Sequence, residues 1–379
     1  MPPLPPAFPP TLIGRSPLGC SSAIENPRRP RWRFALAPSF PPHMMVLAVP
    51  LPELQLISRI RRLSERKPQS ALRRRIPAGI GDDCALLRIP DHHDALVTTD
   101  FSLEGVHFRR EWHSPESVGH RCLARGLSDI AAMGGEPLAA FLSLGLPAKL
   151  RQAWVDGFFR GWLDLGKQFG VTLAGGDISE SRAGVLIDVV VVGFVPRGQA
   201  VLRSGARPGD RIYVTGELGG SAATLERLLR SGKKKLNPSF FPGHFSPQPR
   251  IPVARILREK KIASAMIDLS DGLSTDLAHI CQESHTGAEI WEQKIPRASI
   301  GKLPEKVNFN FALHGGEDYE LLFTARPATR VPTRIANIRI TEIGVISGIS
   351  RGMLLRSPSA TRELVARGWE HFQPRSPHR

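Results

Sequence analysis

Read as hydrophobic and polar positions, the chain alternates between helical and extended periods once past its first 43 residues. From Glu53 to Leu63 the apolar residues Leu54, Ile57, Ile60 and Leu63 recur at helical spacing, with basic residues on the other face. Ala95-Leu-Val-Thr-Thr-Asp100 reads as a strand that ends in polar groups. Ser117 to Met133 reads as a helix carrying Arg121, Arg125 and Asp129 close to one face, at i, i+4 and i+8. Leu138 to Leu146 is a strand, and an amphipathic helix follows Pro147 and runs to about Phe169. Val171-Thr-Leu-Ala174 then leads into Gly175-Gly-Asp177. Val185 to Val195, β-branched and broken by Asp188, is the last strand of this half.

Pro196 to Asp210 is polar and glycine-punctuated, and it marks a domain boundary. The second half restarts with the strand Arg211 to Gly216 and a helix ending near Leu229. Residues 231–252 are proline- and lysine-rich and are expected to be irregular. Ala265 to Asp268 is a short strand and Leu273 to Glu283 a helix. Ala288 to Ile290 and Leu321 to Thr324 are further strands, and Arg339 to Phe372 reads as short strands and turns. Strands and helices alternate in both halves, which gives two α/β-type domains, over 45–197 and 198–379. Residues 1–44 are proline- and arginine-rich. They are expected to be a disordered extension or the product of a start assigned upstream of Met44 and Met45.

Composition narrows the function classes. The chain has 379 residues, 41% hydrophobic and 23% charged, and its longest apolar run is too short to span a bilayer, so no membrane partner is expected. The formal net charge of +16 is partly an end effect, because residues 1–44 hold five arginines against the single acid Glu25. The clusters Arg73-Arg-Arg75 and Lys233-Lys-Lys235 are short, and no nucleic-acid-binding signature accompanies them, so no nucleic-acid partner is expected. The four cysteines lack Cys-x-x-Cys spacing, which argues against a disulfide framework or a zinc site and fits a reducing cytoplasm. Cys84, Cys122 and Cys281 sit among apolar residues and are expected to pack as small hydrophobes.

The chemistry lies in a series of acid-bearing turns. Gly79-Ile-Gly-Asp-Asp83 places two adjacent carboxylates behind a glycine pair, and adjacent acids repel unless a cation lies between them. Similar turns are expected at Thr98-Thr-Asp100, Leu127-Ser-Asp129, Gly175-Gly-Asp177, Asp268-Leu-Ser-Asp-Gly272 and Gly315-Gly-Glu-Asp318. Oxygen-only ligands suit Mg²⁺ or Mn²⁺, and many acids imply several ions around a polyphosphate. Gly216-Glu-Leu-Gly-Gly220 is a candidate phosphate cradle. The Walker and Rossmann glycine patterns are absent, as is the protein-kinase set. From the residues alone the reading is Mg²⁺-dependent phosphate chemistry.

In order and spacing these motifs resemble the thiamine-monophosphate kinases, a family of the aminoimidazole-ribonucleotide-synthetase-like superfamily. Leu202-Arg-Ser-Gly-Ala-Arg-Pro-Gly-Asp210 and Gly315-Gly-Glu-Asp-Tyr-Glu-Leu321 add to the resemblance, which runs from about Glu53 to Phe372. It implies a two-domain PurM-like fold, with an N-terminal α/β domain whose mixed sheet pairs into a homodimer barrel, and a C-terminal α+β domain. It also implies ATP-dependent phosphorylation of thiamine monophosphate to thiamine diphosphate. Carried over by position, Asp83, Thr98, Thr99, Asp100, Asp129, Asp177, Asp268 and Asp271 would ligate several Mg²⁺ ions, with Asp82 a supporting carboxylate. Gly176, Asp177, Arg203 and Ser270 would contact ATP. His107, Glu317 and Trp369 would line the thiamine-phosphate site, where an aromatic face suits the cationic thiazolium. The acceptor is already an anionic phosphate oxygen, so no catalytic base is expected and transfer is direct and in line.

Overall fold

The computed structural model describes residues 50–64, 75, 76, 80, 84–231, 236–301 and 305–369. The sequence expectations for Asp82, Asp83, Cys20 and Lys233–Lys235 lie outside these residues.

The first half is built on a four-stranded sheet in the order β1-β4-β2-β3, formed by β1 (His93–Leu103), β2 (Glu136–Leu146), β3 (Thr172–Glu180) and β4 (Leu186–Pro196). β4 lies antiparallel to both β1 and β2, whereas β2 and β3 are parallel. A parallel pair needs a crossover, and α3 (Gln152–Phe169) supplies it. With α1 (Glu53–Ser64) and α2 (Pro115–Ala132), α3 contributes to a core that includes Leu123, Leu127, Phe158, Trp162, Val189 and Val191. α2 starts where Ser114 accepts the amide of Ser117, with Pro115 in the first turn where its missing N–H is harmless. Contact between α2 and α3 is close because Gly119 and Gly161 leave no room for side chains. A Cβ at Gly119 would lie 2.0 Å from Phe158 O, and one at Gly161 1.9 Å from Glu116 O.

The second half carries a larger sheet. Its order is β12 (Thr361–Glu363), β11 (Met353–Arg356), β7 (Thr286–Trp291), β10 (Ile338–Gly348), β5 (Arg211–Thr215), β8 (Leu321–Ala325) and β6 (Ala265–Asp268), with β9 (Arg334–Ile335) on β10. Among the described strands of this sheet only β11 and β7 pair in parallel. α4 (Gly220–Ser231), α5 (Ile251–Glu259), α6 (Leu273–Ser284) and α7 (Phe309–His314) accompany the strands. Mixed α/β content around two mixed sheets is the architecture expected from the sequence.

Several local expectations are corrected. Thr98–Asp100 and Gly175–Asp177 are not turns but interior segments of β1 and β3, and Leu127–Asp129 lies inside α2. Acids at these positions obey strand and helix periods, which fixes the side each one faces. The expected irregular segment 231–252 contains helical turns at Pro238–Phe240 and Pro242–Phe245 and the first residues of α5. Cys122 and Cys281 are buried, but Cys84 is exposed. Among the described residues no helix is long and apolar enough to cross a membrane.

Candidate active site

β1 alternates, so Leu96, Thr98, Asp100 and Ser102 share the face covered by α2, while Val97, Thr99 and Phe101 share the other. On the covered face the Thr98 hydroxyl donates to the Asp129 carboxylate of α2. One residue earlier on α2, Ser128 Oγ donates to Asp268 Oδ2 at 2.7 Å, which ties the helix to the end of β6 in the second half. Asp100, Asp129 and Asp268 thereby come together from a strand, a helix and a second domain.

Their electrostatics record the crowding. Asp129 is pushed up to about 8, first by burial and then by the charges of Asp268 and Asp100. Asp268 is raised to about 6 by burial and by the charges of Asp100 and Asp271. Asp100 is raised as well, chiefly by burial, although Arg125 opposes the shift. Asp100 Oδ2 is sealed from water and has no hydrogen-bond partner among the described residues. Buried carboxylates held together in this way are relieved by holding a proton or by a cation placed between them. Arg203 lies within electrostatic range of Asp129 and Asp268, and with Thr98 and Asp129 it lines a cleft of about 510 Å³ whose walls include Leu96, Ile130 and Met266.

The β6–α6 junction extends the site. The backbone of Ser270 accepts the amide of Glu317 at 2.8 Å, and that of Asp271 accepts the amide of Trp369 at 3.0 Å. Ser270, Asp271, Glu317 and Trp369 are thus gathered by main-chain bonds between three separate segments. At the start of α6, whose first residue is preceded by Gly272, Asp276 Oδ2 accepts the amides of Gly272 at 3.0 Å and Asp271 at 3.2 Å. Ligand atoms of Asp271, Asp276 and His279 lie within 4.8 Å of one another. Asp276 and His279 carry no glycine signal in the sequence, and only the i, i+3 spacing of α6 relates them.

His107 lines a small cavity beside Arg121 and Arg125, and its Nδ1 accepts the amide of Leu103 at 3.0 Å. Arg121, 5% exposed, donates to Glu317 Oε2 at 2.9 Å and to the carbonyl of His244. Burial alone would raise Glu317, but Arg121, His244 and Arg125 together hold its carboxyl at about 2. Glu317 also has φ +64, a left-handed backbone that non-glycine residues rarely adopt and that aims this side chain. Trp369 is 48% exposed, so it is not plain core packing. Arg121, noted in the sequence only for its helical spacing, is the residue that links the His107 side of the site to Glu317.

Thr99 and Asp177 are not brought into this cluster. A register shift between Ala140 and Phe141 sets Phe141 opposite Gly175 and Ser143 opposite Asp177, which turns Asp177 to the outer face of the sheet. Asp188, opposite both Ser143 and Phe101, lies on that face too, and it accepts the Thr99 hydroxyl at 2.7 Å. Gly176 is required by packing alone, since its φ is +152 and a Cβ would meet Leu142 O at 2.0 Å.

The Gly216–Gly220 cradle is also corrected. Its amides have partners within the fold: Asp318 Oδ2 accepts Gly219 N–H at 2.6 Å, and Oδ1 accepts Ser221 N–H at 3.4 Å. Asp318 holds the position a phosphate would take at the start of α4.

The two halves correspond to known domains. The N-terminal domain of AIR synthase related proteins matches residues 81–195, and the C-terminal domain matches residues 207–331. Fold and site therefore define a two-domain AIR synthase related protein. The chain is 37% identical to thiamine-monophosphate kinase of Escherichia coli O157:H7 over 78% of its own length and 92% of that protein. It is 34% identical to the thiamine-monophosphate kinase of Bacillus subtilis strain 168, over 79% of this chain and 94% of that one. A solved structure described as AaThiL complexed with AMPPCP and TMP superposes with a TM-score of 0.66 at 34% identity, covering 84% of this chain and 97% of that one. The chain belongs to the thiamine-monophosphate kinase family.

Proposed function

We propose that this protein transfers the γ-phosphoryl group of ATP to thiamine monophosphate, giving thiamine diphosphate and ADP. The observation that carries this reading is a buried three-carboxylate cluster that shares α2 with Arg121, which lines the cavity of His107 and pairs with Glu317, in a chain of this family.

The donors fit magnesium. They are carboxylate and hydroxyl oxygens, they raise one another's pKa, and Asp100 Oδ2 is an orphaned buried acceptor. Asp100, Asp129, Asp268 and Asp271, with the Thr98 hydroxyl, would hold the ions of the inner cluster. Asp177 and Thr99 would serve from the outer face, and Asp82 and Asp83 complete the expected set. When bound, magnesium supplies neutralisation of the polyphosphate charge. Arg203 at the rim of the cleft is suited to the ATP phosphates, and Gly176, Asp177 and Ser270 are the other ATP contacts the family resemblance implies. Glu317, ionised at neutral pH, and the half-exposed face of Trp369 suit the cationic thiazolium. An acceptor oxygen attacks the γ-phosphorus directly, the bond to the β,γ-bridging oxygen breaks, and no phospho-enzyme forms.

The outer sheet face exposes Val97, Phe101 and Leu186, at 66%, 62% and 37%. An apolar face of this kind supports the homodimer that the family resemblance implies. A reducing cytoplasm is the compartment that fits this reading. The test is transfer from Mg-ATP to thiamine monophosphate by the purified chain beside Asp271→Asn. Thiamine diphosphate formed by the wild type and lost in the variant supports both reaction and metal site. Hydrolysis of ATP with no product on thiamine monophosphate sinks the reading.

A further inference from the structure

α2 carries two arginines one turn apart, and their surroundings differ. The guanidinium of Arg121 donates to Glu317 and to the carbonyl of His244. Arg125 has its side chain 19% exposed, and its Nη2 lies 3.6 Å from Asp100 Oδ1, beyond hydrogen-bond length. Its Nη1 is sealed from water and has no hydrogen-bond partner among the described residues. Across from it, Asp100 Oδ2 is sealed and unpartnered in the same way.

Arg125 and Asp100 therefore form a loose ion pair at 3.6 Å that leaves a buried donor on one and a buried acceptor on the other without a hydrogen bond. Leaving either unpaired is unfavourable, and more so for charged groups. One arrangement satisfies both at once: an anionic oxygen on the guanidinium and a cation on the carboxylate. Location selects which anion. Arg125 lies one turn before Asp129, shares the small cavity of His107 and Arg121, and is in electrostatic range of both Asp100 and Glu317. It stands between the carboxylates that fit magnesium and the residues that suit the thiazolium. The acceptor phosphate is the part of the substrate that must span that gap.

We propose that Arg125 anchors the acceptor phosphate of thiamine monophosphate and so sets the preference for this substrate over unphosphorylated thiamine. This rests on the functional reading above. During transfer an acceptor oxygen forms its bond to the γ-phosphorus while the bond to the bridging oxygen breaks, and that electron pair leaves on ADP. Arg125 gives up no proton. It holds a non-attacking oxygen of the acceptor phosphate, which becomes the α-phosphate of the product.

The test is calorimetric binding of thiamine monophosphate and of thiamine, each with Mg²⁺, to the full chain and to Arg125→Met and Arg125→Lys. Arg125→Met is expected to weaken thiamine monophosphate by about 10- to 100-fold, the size of one lost charge-assisted hydrogen bond. Thiamine binding should stay within about twofold, since its neutral hydroxyl offers the arginine no charge to pair with. Arg125→Lys keeps a charge without the planar fork and should fall between wild type and Arg125→Met. Equal weakening of both ligands would make Arg125 merely structural, and an unchanged ratio would exclude the contact. If Arg125→Met does not fold, the same ratio in Arg125→Lys decides: a lowered ratio supports the anchor, an unchanged one overturns it. A wild-type chain that forms no thiamine diphosphate would instead overturn the functional reading. A productive wild type beside a variant with an unaltered ratio overturns only the role of Arg125.

Discussion

Asp129 and Glu320 are both largely buried acids, yet they sit in opposite kinds of surroundings. Glu320 is fully engaged: Arg250 binds both its oxygens, one of them at 2.6 Å from Nε, and the Thr215 hydroxyl donates to it as well. Asp129 has the Thr98 hydroxyl and the carboxylates of Asp100 and Asp268 for neighbours. Asp318, and Asp276 through its Oδ2, likewise accept backbone amides of the fold. The lesson is that burial of an acid does not mark a site. What marks it is burial without enough donors, because the missing partner must come from outside the chain.

That contrast can be broken by substitution. Glu320→Ala should be the most damaging change to the fold, by about 3–5 kcal/mol in chemical denaturation, since Arg250 is left charged and buried without its partner. Asp129→Asn should do the reverse. Turnover should fall about 10²- to 10³-fold, the loss typical of one electrostatic stabiliser, while the thermal midpoint holds or rises because a neutral amide avoids the cost of burying or protonating a crowded carboxylate. If Asp129→Asn unfolds the chain and leaves the rate intact, the contrast is wrong.

The smallest effect is on pH dependence. Asp129 and Asp268, at about 8 and about 6, lie above the ordinary aspartate value of 3.8. A raised value means the folded state binds the proton more tightly than the unfolded one. Their contribution to stability is therefore present below about pH 4 and is lost as pH rises through about 6 to 8. Melting of the metal-free chain should shift downward across that window, and saturating Mg²⁺ should flatten the slope. A melting point that climbs from pH 6 to 8 without metal would contradict the repulsion inferred here.

Much of the architecture was legible because burial imposes a period. The strand at Ala95–Asp100 and the helix carrying Arg121, Arg125 and Asp129 at i, i+4 and i+8 are both found. Residues 231–252 were less legible, since proline opens a helix as readily as it breaks one, and Pro242 and Pro252 stand in first turns. Cys84 is exposed despite its apolar neighbours, because neighbours in sequence do not guarantee burial.

By itself the sequence determined which acids this chain has, that they stand beside glycine, serine and threonine, and that their order matches one family. Those features are local, and local spacing survives in one dimension. Only the tertiary structure decided which acids have partners. It gave Gly219 and Ser221 to Asp318, and the amides of Asp271 and Gly272 to Asp276. It set Asp177 on the outer face through one bulge. It also brought Asp268 to Ser128 across 140 positions. Donors and acceptors are matched through space, so whether a carboxylate is satisfied or left for a ligand depends on contacts between distant segments.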